Sequence, residues 1–436
     1  MTSITSQPSK HANTRPQDFR SVDALRDRFL HVRQVTERLA ANLSDEDCVL
    51  QSMPDASPVK WHLAHTSWFF ETFLLERFSP HFKPFDPAFR VLFNSYYNGV
   101  GEKHPRAERG LISRPDRSTV LDYRHDITEG IAILLPSMTD DTAFCDLMWL
   151  GCHHEEQHQE LILTDLKHLL AKNPQKPAYE KRWPLTTIDA RKPRWIQHEA
   201  GLIECGHAGK GFAFDNECPR HQVFLPPFEL ASHPVTHGDF AEFIADNGYC
   251  RPELWLSMGW DWVQFNRIDA PLYWRREEGT WNTFTLRGMM EIDPNTPVCH
   301  LNFFEADAYA RWAGARLPRE AEWELAASAV PIVGNFLEDN ALHPLALREE
   351  TAINAPAQMF GDVWEWTQSA YLPYPGYRAA SGAVGEYNGK FMCNQFVLRG
   401  GSCVTPREHI RATYRNFFPP DASWQFSGLR LARDLA

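Results

Sequence analysis

The segment HHEEQHQE at residues 153–160 is the strongest constraint on the fold of this chain. His154 and His158 lie four residues apart, which on an α-helix places both imidazoles on one face, one turn apart. The same face carries the apolar residues Leu147, Leu150, Leu161 and Ile162. Both histidines should therefore point into a helical bundle, where two imidazoles without a metal would be costly to desolvate. The pattern predicts two ligands of one metal ion.

A third ligand has to come from another helix, and the segment WHLAHTSWFFET offers one. His65 lies on an apolar face of that predicted helix. The other members of this face are Trp61, Ala64, Trp68 and Phe69. His62, nearer its edge, is the competing candidate, whereas Glu160 lies on nearly the opposite side of its helix from His158. Three neutral imidazoles leave coordination positions open, which suits a catalytic zinc ion or an Fe(II) ion that binds O2 and a substrate.

The chain divides into a helical part and a mixed part. Between residues 18 and 172, apolar residues spaced three or four apart indicate four helices and predict an antiparallel bundle. Residues 173–195 contain four prolines and are predicted to be a connector, and the polar residues 1–17 a disordered tail. Residues 196–436 show short strands, glycine-rich turns and a few helices. The predicted fold class is α+β.

The composition excludes several classes of function. A net charge of -12 argues against binding to the phosphates of nucleic acids. No secretory segment and no run of about eighteen apolar residues is visible, so no membrane helix is expected. Nine scattered cysteines without a CxxC pair indicate reduced thiols. We therefore expect a cytoplasmic protein whose partners are small molecules, not nucleic acid or membrane; a homo-oligomer is compatible with this.

Two sets of motifs resemble known families. HEEQHQE together with WHLAH resembles the DinB-like iron-binding four-helix bundle of the sulfoxide synthases of ergothioneine biosynthesis. FGDVWEWTQS, FVLRGGSCVTP and the surrounding residues resemble the formylglycine-generating-enzyme/sulfatase-modifying domain, which has a C-type-lectin-like fold. The resemblance covers nearly the whole chain from about residue 20, and it assigns residues 18–172 to the bundle and 196–436 to the lectin-like domain.

This resemblance implies a metal and a reaction. It implies an Fe(II) ion held by His65, His154 and His158, with O2 as co-substrate. The enzyme would form a C–S bond between cysteine and C2 of the imidazole of hercynine (Nα-trimethylhistidine), and would oxidise the sulfur with the same O2. The product would be hercynylcysteine sulfoxide. Binding both reactants and O2 at one ion would bring them together in reactive geometry.

The resemblance also implies roles for residues that bind the imidazole substrate. Gln157 would contact the substrate, and Asn416, in YRNFF, would hold its carboxylate. Phe417 and Phe418 would wall the pocket, which agrees with the preference of a trimethylammonium group for aromatic faces.

For the thiol and for catalysis, the resemblance singles out two more segments. Arg106 and Arg109, three residues apart, would bind the carboxylate of the thiol substrate, because guanidinium groups suit carboxylates. Tyr96 and Tyr97, in NSYYNG, are the candidates for a catalytic proton or hydrogen-atom donor. The reserve candidates are Tyr371, Tyr374 and Tyr377.

One departure from the family pattern bears on the sulfur donor. Relatives that use γ-glutamylcysteine carry an Asp and an Arg where this chain has Phe418 and Ala422, so free cysteine is the predicted donor. The alternatives are γ-glutamylcysteine, an ovothiol-type synthase that couples cysteine to C5 of histidine, a zinc-dependent thiol transferase and a non-catalytic ligand-binding module. Ovothiol-type enzymes usually carry an added methyltransferase domain, for which we see no room after the lectin-like domain.

Two expectations concern acidic residues. The segment DNE at 215–217 raises a weaker hypothesis of a Ca2+ ion, since lectin-like modules sometimes bind one. Other carboxylates are expected on solvated helix faces. These are Glu305, Asp307, Glu320, Glu322 and Glu324.

Overall fold

A computed structural model describes residues 21–181, 192–209, 211–347, 354–380 and 382–435. The predicted tail at 1–17 and part of the predicted connector, residues 182–191, lie outside this range. No helix within it combines the length and the apolar character that crossing a membrane requires.

The first part of the chain is helical, and four long helices form a bundle as the apolar spacing predicts. The helices are α1 (Val22–Ala41), α2 (Asp45–Val49), α3 (Val59–Phe70), α4 (Glu76–Phe78), α5 (Phe89–Leu92), α6 (Arg117–Leu134) and α7 (Thr142–Lys172), with a π-helical turn at Glu71–Leu75 and a 3-10 turn at Arg106–Leu111. α1 packs on α7, and α3 packs between α6 and α7. Asp116 and Asp141 cap α6 and α7 by accepting backbone N–H groups of the first turn.

The close approach of α3 and α7 depends on a glycine. A Cβ atom at Gly151 would lie 2.6 Å from the ring of Phe70, closer than carbon atoms approach without displacement. Glycine therefore lets the Phe69 and Phe70 side chains of α3 lie directly against α7. This contact brings the histidine-bearing turns of the two helices together.

The second part of the chain mixes short strands and helices. The helices are α8 (His237–Ala245), α9 (Ser257–Asn266), α10 (Phe303–Trp312), α11 (Glu320–Ala327) and α12 (Glu386–Gly389). The strands are β1 (Trp195–His198), β2 (Gly201–Cys205), β3 (His221–Leu225), β4 (Phe228–Ala231), β5 (Trp274–Glu277), β6 (Thr280–Thr285), β7 (Gly288–Glu291), β8 (Trp364–Ala370), β9 (Phe396–Arg399), β10 (Asn416–Phe418), β11 (Ser427–Leu429) and β12 (Ala432–Asp434).

The strands of the described residues form four small sheets. The largest has the order β10-β9-β8-β11, with β11 parallel to β8 and the other neighbours antiparallel. The remaining sheets are β1-β4-β12, β2-β3 and β5-β6-β7. Large rings such as Trp323, Trp364 and Trp366 fill the space between these short elements and are almost fully buried. A helical bundle joined to a β-rich domain confirms the predicted α+β fold.

The acidic residues of α10 and α11 correct one expectation from the sequence. Glu305, Glu322 and Glu324 are 1%, 0% and 3% exposed, so the prediction of solvated faces is wrong for them. Glu305 accepts a hydrogen bond from Tyr249, and Arg316 binds Glu322. Arg399 binds Glu324, while Asp307 and Glu320 are half-buried and pair with Arg311 and Arg415. Each of these carboxylates can be buried because it pairs with a basic or phenolic side chain.

One polar cluster crosses the bundle interior. Glu155 on α7 is fully buried and accepts hydrogen bonds from Arg33 of α1 at 3.0 Å and Arg124 of α6 at 2.8 Å. Burial alone raises the pKa of Glu155, but the two guanidinium groups outweigh burial and lower this pKa to about 2. The carboxylate thus ties three helices together.

Replacing Glu155 with Gln should destabilise the bundle, because the change leaves two buried guanidinium groups without their counter-charge. We expect Glu155→Gln to lower the free energy of unfolding by about 3 kcal/mol in urea titrations followed by circular dichroism. Glu76→Gln is the matched control, since the Glu76–Arg90 pair is 40% and 48% exposed; it should cost less than about 1 kcal/mol. Equal losses for the two variants would contradict the assignment.

Candidate metal centre and substrate cavity

The three histidines singled out in the sequence meet between α3 and α7. One ring nitrogen from each of His65, His154 and His158 lies within 4.8 Å of the other two. The three residues are only 1%, 5% and 8% exposed. The spacing of four residues on α7 stacks two imidazoles one turn apart, and α3 presents the third from the opposite side.

Hydrogen bonds determine which nitrogen of His65 and His158 is free. His65 Nδ1 lies 2.6 Å from the carbonyl oxygen of Phe93, and because a carbonyl only accepts, Nδ1 carries the proton. His62 Nε2 lies 3.2 Å from Asp165 and donates to its carboxylate. His62 Nδ1 therefore accepts the proton of His158 Nδ1, 2.8 Å away. In both histidines the lone pair remains on Nε2, where a metal ion can bind it.

The sequence offered His62 as an alternative third ligand. The structure places it behind His158 and not among the three clustered histidines. It lies outside the cluster of three histidines and holds one of them through the Asp165–His62–His158 chain. A carboxylate behind a ligand histidine orients its ring and makes it a stronger donor.

The electrostatics of the cluster keep the imidazoles neutral. Burial, followed by the neighbouring histidines, lowers the pKa of His65 and His158 well below the ordinary value. Burial lowers the pKa of His154 to about 4. Its Nδ1 atom has no hydrogen-bond partner among the described residues. Three neutral nitrogen donors that converge in a buried place fit a metal ion.

Aromatic rings enclose the cluster. Trp61 stacks on His65 with ring centroids 4.5 Å apart, and Phe69 stacks on His154 at 4.6 Å. These rings hold the imidazoles in place and lower the local dielectric, which strengthens any interaction with an ion.

A cavity of about 370 Å³ opens from the histidine cluster toward the second part of the chain. It brings together most of the residues that the sequence predicted. These are His65, His154, His158, Tyr96, Tyr97, Arg106, Gln157, Asn416, Phe417 and Phe418. The bundle supplies the histidine end and β10 supplies part of the opposite wall, so the cavity lies between the two parts of the chain.

Arg109 does not line this cavity. Its side chain lies behind the wall, donates to Ser57 Oγ at 2.8 Å and to Ser95 Oγ at 3.3 Å, and lies over the ring of Trp61. Both serines do line the cavity. Burial lowers the pKa of Arg109 to about 9, which shows how poorly the charge is compensated. Arg106 lies at the cavity and contacts the carbonyl of Asp55.

The two adjacent tyrosines have different surroundings. Tyr97 is 3% exposed and packs against Trp68 and Phe73. Burial raises the pKa of Tyr97, so its phenol remains protonated at neutral pH. Tyr96 faces the second part of the chain, where Phe391 contacts its ring. The reserve candidates Tyr371, Tyr374 and Tyr377 are absent from the lining of this cavity within the part of the chain that the structure describes.

The amide groups of Gln157 and Asn416 are each oriented by a hydrogen bond within the protein. Gln157 Nε2 donates to the hydroxyl of Tyr414 at 2.8 Å. Asn416 Oδ1 accepts the backbone N–H of Phe417 at 2.9 Å, which leaves its NH2 group as a donor. Phe418 and Phe417 complete the wall.

Two acidic candidates are occupied by other partners. Glu160 accepts hydrogen bonds from Trp364, Ser402 and Thr405, which directs its carboxylate away from the three histidines. In the DNE segment, Glu217 binds Arg411, and Asp215 accepts from Tyr377 and Asn388. Among the described residues, the groups with metal-ligand spacing are the three histidines and a second set made of His153, Glu156 and His409; neither includes this segment.

Several cavity residues escaped the reasoning from sequence. They are Ser57, Ser95, Tyr387, Asn388, Phe391, Tyr414 and Arg415. Ser95 lies within NSYYNG, and Tyr414 and Arg415 lie within YRNFF, but the sequence analysis gave roles only to other residues of these motifs. Single serines and tyrosines in loops carry no periodic signal, so the sequence contained little that would have identified them.

Comparisons with known proteins match the helical part and the second part of the chain to two different families. Residues 28–162 match the DinB superfamily, and residues 186–355 and 340–435 match the Sulfatase-modifying factor enzyme 1-like domain. Hercynine oxygenase of Mycolicibacterium thermoresistibile is 32% identical over 93% of this chain and 94% of its own length. The enzyme of Mycolicibacterium smegmatis is 32% identical over 95% and 99%, and that of Mycobacterium tuberculosis 31% identical over 90% and 95%. The resemblance inferred from the motifs is confirmed.

Removing one imidazole of the cluster should strongly weaken metal binding. We expect His158→Ala and His154→Ala to reduce the metal content, after anaerobic loading with Fe(II) and gel filtration, by roughly tenfold or more. The matched control is His125→Ala on α6, whose side chain is 75% exposed. Full metal content in both cluster variants would show that the metal lies elsewhere.

Proposed function

This chain belongs to the hercynine oxygenase family, and we propose that it couples cysteine to C2 of the imidazole of hercynine with O2, giving hercynylcysteine sulfoxide in ergothioneine biosynthesis. Membership makes the protein an O2-dependent oxidoreductase that acts on small molecules. The observation that carries the proposal is the cluster of three neutral, buried histidines at one end of a cavity with an aromatic wall.

The resident metal in this proposal is Fe(II), held by His65, His154 and His158. Bound iron would supply open coordination positions for O2 and for the reactants, and the capacity to exchange electrons with them. The chain's own contribution is the geometry. Asp165 and His62 orient His158, and the carbonyl of Phe93 orients His65. Zinc shares the preference for imidazole, but it carries no redox chemistry and cannot support an oxygenase.

The atoms of the reaction balance without another reductant. The thiol loses its S–H proton and the imidazole loses its C2 proton, while the new bond forms between sulfur and C2. One atom of O2 becomes the sulfoxide oxygen, and the other leaves as water with the two protons. The four electrons that O2 accepts come from the thiol, the C–H bond and the sulfur.

For the imidazole substrate, we propose that Asn416 binds the carboxylate and Gln157 the ring. The NH2 group of Asn416 remains a donor because its oxygen is occupied by Phe417, and a donor is what a carboxylate requires. Phe417 and Phe418 lie beside it in the cavity wall. Aromatic faces attract a quaternary ammonium group through their negative ring faces, which suits the trimethylammonium of hercynine.

For the thiol substrate, we propose that Arg106 contacts the carboxylate and that Arg109 acts from behind the wall. Among the described residues, the buried guanidinium of Arg109 has hydroxyl partners in Ser57 and Ser95 but no carboxylate in contact. It therefore makes this side of the cavity electropositive. An incoming carboxylate would supply the missing counter-charge.

A phenol beside the reactants can supply the proton that the reduction of O2 requires. We propose Tyr96 or Tyr97 for this role, since both line the cavity. Tyr97 is the better placed to hold its proton, because burial raises the pKa of its hydroxyl group. Its neighbours Trp68 and Phe69 are the rings that also contact His65 and His154.

The proposed reaction can be tested directly. The protein is loaded anaerobically with Fe(II) and then exposed to O2 with cysteine and hercynine. The product should have the mass of both substrates plus one oxygen atom and minus two hydrogen atoms. Proton NMR should show loss of the C2 proton and retention of the C5 proton. Turnover of histidine with loss of the C5 proton would instead establish the ovothiol-type reaction. Tight Zn2+ binding with thiol transfer, and no turnover with Fe(II), would establish the zinc enzyme.

The sulfur donor provides a second test. Phe418 and Ala422 offer no charge to the second carboxylate and the ammonium group of a glutamyl moiety, so kcat/KM for cysteine should exceed that for γ-glutamylcysteine by roughly tenfold or more. The double variant Phe418→Asp/Ala422→Arg should raise kcat/KM for γ-glutamylcysteine. A wild-type preference for γ-glutamylcysteine would overturn the choice of donor.

A further inference from the structure

A loop of the bundle that lines the cavity takes its hydrogen-bond partners from two different parts of the chain. This tyrosine loop (residues 95–99) carries Tyr96 and Tyr97, and both side chains line the cavity. Asn94, which is fully buried, accepts the backbone N–H of Tyr97 at 3.3 Å and donates to the carbonyl of Tyr97 at 3.1 Å. The bundle by itself therefore fixes the backbone at Tyr97.

The other end of the tyrosine loop is bound by residues at α12 of the lectin-like domain. The two carboxylate oxygens of Glu386 accept the backbone N–H groups of Asn98 at 2.9 Å and of Gly99 at 2.8 Å. Successive backbone N–H groups that converge on one group favour an anion, and a single carboxylate satisfies both of them. Lys390, four residues after Glu386, donates to the carbonyl of Tyr96. The backbone around Tyr96 thus depends on the second part of the chain.

Contacts within the lectin-like domain anchor α12, so it can hold the loop in a defined place. Asn388 donates to Oδ1 of Asp215 at 2.5 Å, and the hydroxyl of Tyr377 donates to Oδ2 of the same carboxylate at 3.0 Å. Asp215 therefore connects α12 to the segment that precedes it. The contact between Glu386 and the loop joins an anchored element to one whose Asn98 and Gly99 are exposed to solvent.

The ring of Tyr96 lies where the loop meets α12. Its centroid is 5.1 Å from the ring of Phe391 and 6.1 Å from the ring of Tyr387, and both contacts are edge-to-face. All three rings line the cavity. One stretch of the cavity wall is therefore made by aromatic rings from the two sides of this contact, and the hydrogen bonds to Glu386 lie next to it in the sequence of the loop.

We infer that Glu386 is a positioning residue: by binding the amides of Asn98 and Gly99, it keeps the side chain of Tyr96 in the cavity wall. Tyr97 keeps its place through Asn94 and does not need this contact. The effect on turnover rests on the proposed function, in which Tyr96 is one of two candidate proton donors. A donor acts only within hydrogen-bond reach of the group that it protonates. Loss of the contact should therefore slow the reaction more than it weakens substrate binding.

Gly99 offers a second way to break the same contact. A Cβ atom at this position would lie 2.6 Å from Oε1 of Glu386, so alanine would displace the carboxylate. The backbone at Gly99 lies outside the left-handed region that favours glycine, and alanine can adopt it. Gly99→Ala should thus release the loop while Glu386 itself stays in the chain.

The experiment labels the full-length protein with 3-fluorotyrosine and compares its fluorine NMR spectra after loading with Co(II) and with Zn(II). The difference in chemical shift between the two forms depends on the distance and direction of each ring from the paramagnetic Co(II) ion. Tyr96→Phe and Tyr97→Phe identify the two resonances. In Glu386→Ala and in Gly99→Ala, the Co(II)-induced shift of Tyr96 should change or spread over several values, whereas the shift of Tyr97 should keep its wild-type value.

Matched controls separate this contact from a general effect of substitution. A Cβ atom at Gly201 meets nothing within 4 Å, so Gly201→Ala is the control for Gly99→Ala. Glu253 forms an exposed pair with Arg251, and Glu253→Ala is the control for Glu386→Ala. Both controls should give the wild-type shift of Tyr96. The double variant Gly99→Ala/Glu386→Ala should show no larger change than either single variant, because both substitutions remove one contact.

Turnover provides a second readout. With Fe(II), cysteine and hercynine, Glu386→Ala should lower kcat by roughly tenfold, while KM for each substrate stays within about twofold of the wild-type value. Glu386→Gln keeps one acceptor oxygen and should recover part of the lost kcat. Glu386→Asp is one methylene shorter and should not recover it.

The outcomes distinguish this inference from the proposed function. An unchanged Co(II)-induced shift of Tyr96 in both single variants, or additive changes in the double variant, would overturn the inference. So would a wild-type kcat in a variant whose Tyr96 shift has changed, or a rise in KM in place of the fall in kcat. If the wild-type protein does not turn over hercynine but the shift of Tyr96 depends on Glu386, the proposed function fails and the placement of Tyr96 by Glu386 stands.

Discussion

The 31 residues of α7 carry the interactions on which the rest of the molecule depends. Between Gly151 and Glu160 every residue except Gln157 is buried, and most of them are polar. Successive side chains point in different directions: His154 and His158 to α3, Glu155 to α1 and α6, Glu156 to α1 and Glu160 to the second part of the chain. A polar helix is stable in such a place only when each buried group finds a partner. Replacing different side chains of α7 would therefore disturb different contacts.

The buried arginines differ in whether a carboxylate neutralises them, and this difference distinguishes those that stabilise the fold from the one that can bind a ligand. Arg33 and Arg124 share Glu155, and Arg28 is neutralised by Glu156. Arg109 is equally buried but contacts hydroxyl groups and a ring. An unpaired buried charge costs free energy. The three paired guanidinium groups therefore stabilise the fold, whereas the charge of Arg109 is one that a bound carboxylate can neutralise.

Local pattern predicted a good share of this arrangement. Helical spacing placed His154 and His158 on one inward face, and the apolar face of WHLAHTSWFFET brought His65 to them. The α+β fold followed from the change in pattern near the proline-rich connector. The position of Arg109 behind Ser57, the role of His62 as a partner of His158 and the hydrogen bond between Gln157 and Tyr414 did not follow. Each depends on contacts between segments far apart in sequence, which periodicity does not encode.

Both parts of the chain are needed to form the cavity around Tyr96 and Tyr97. Glu386 of α12 accepts the backbone N–H groups of Asn98 and Gly99, and Lys390 binds the carbonyl of Tyr96. The loop that carries Tyr96 and Tyr97 belongs to the bundle, yet its backbone is held by the lectin-like domain. The distance of a phenol from the histidine cluster is thus set by the packing of one domain on the other. A bundle on its own would keep the three imidazoles but would lose the contacts that hold the loop of Tyr96 and Tyr97 and the cavity wall formed by β10.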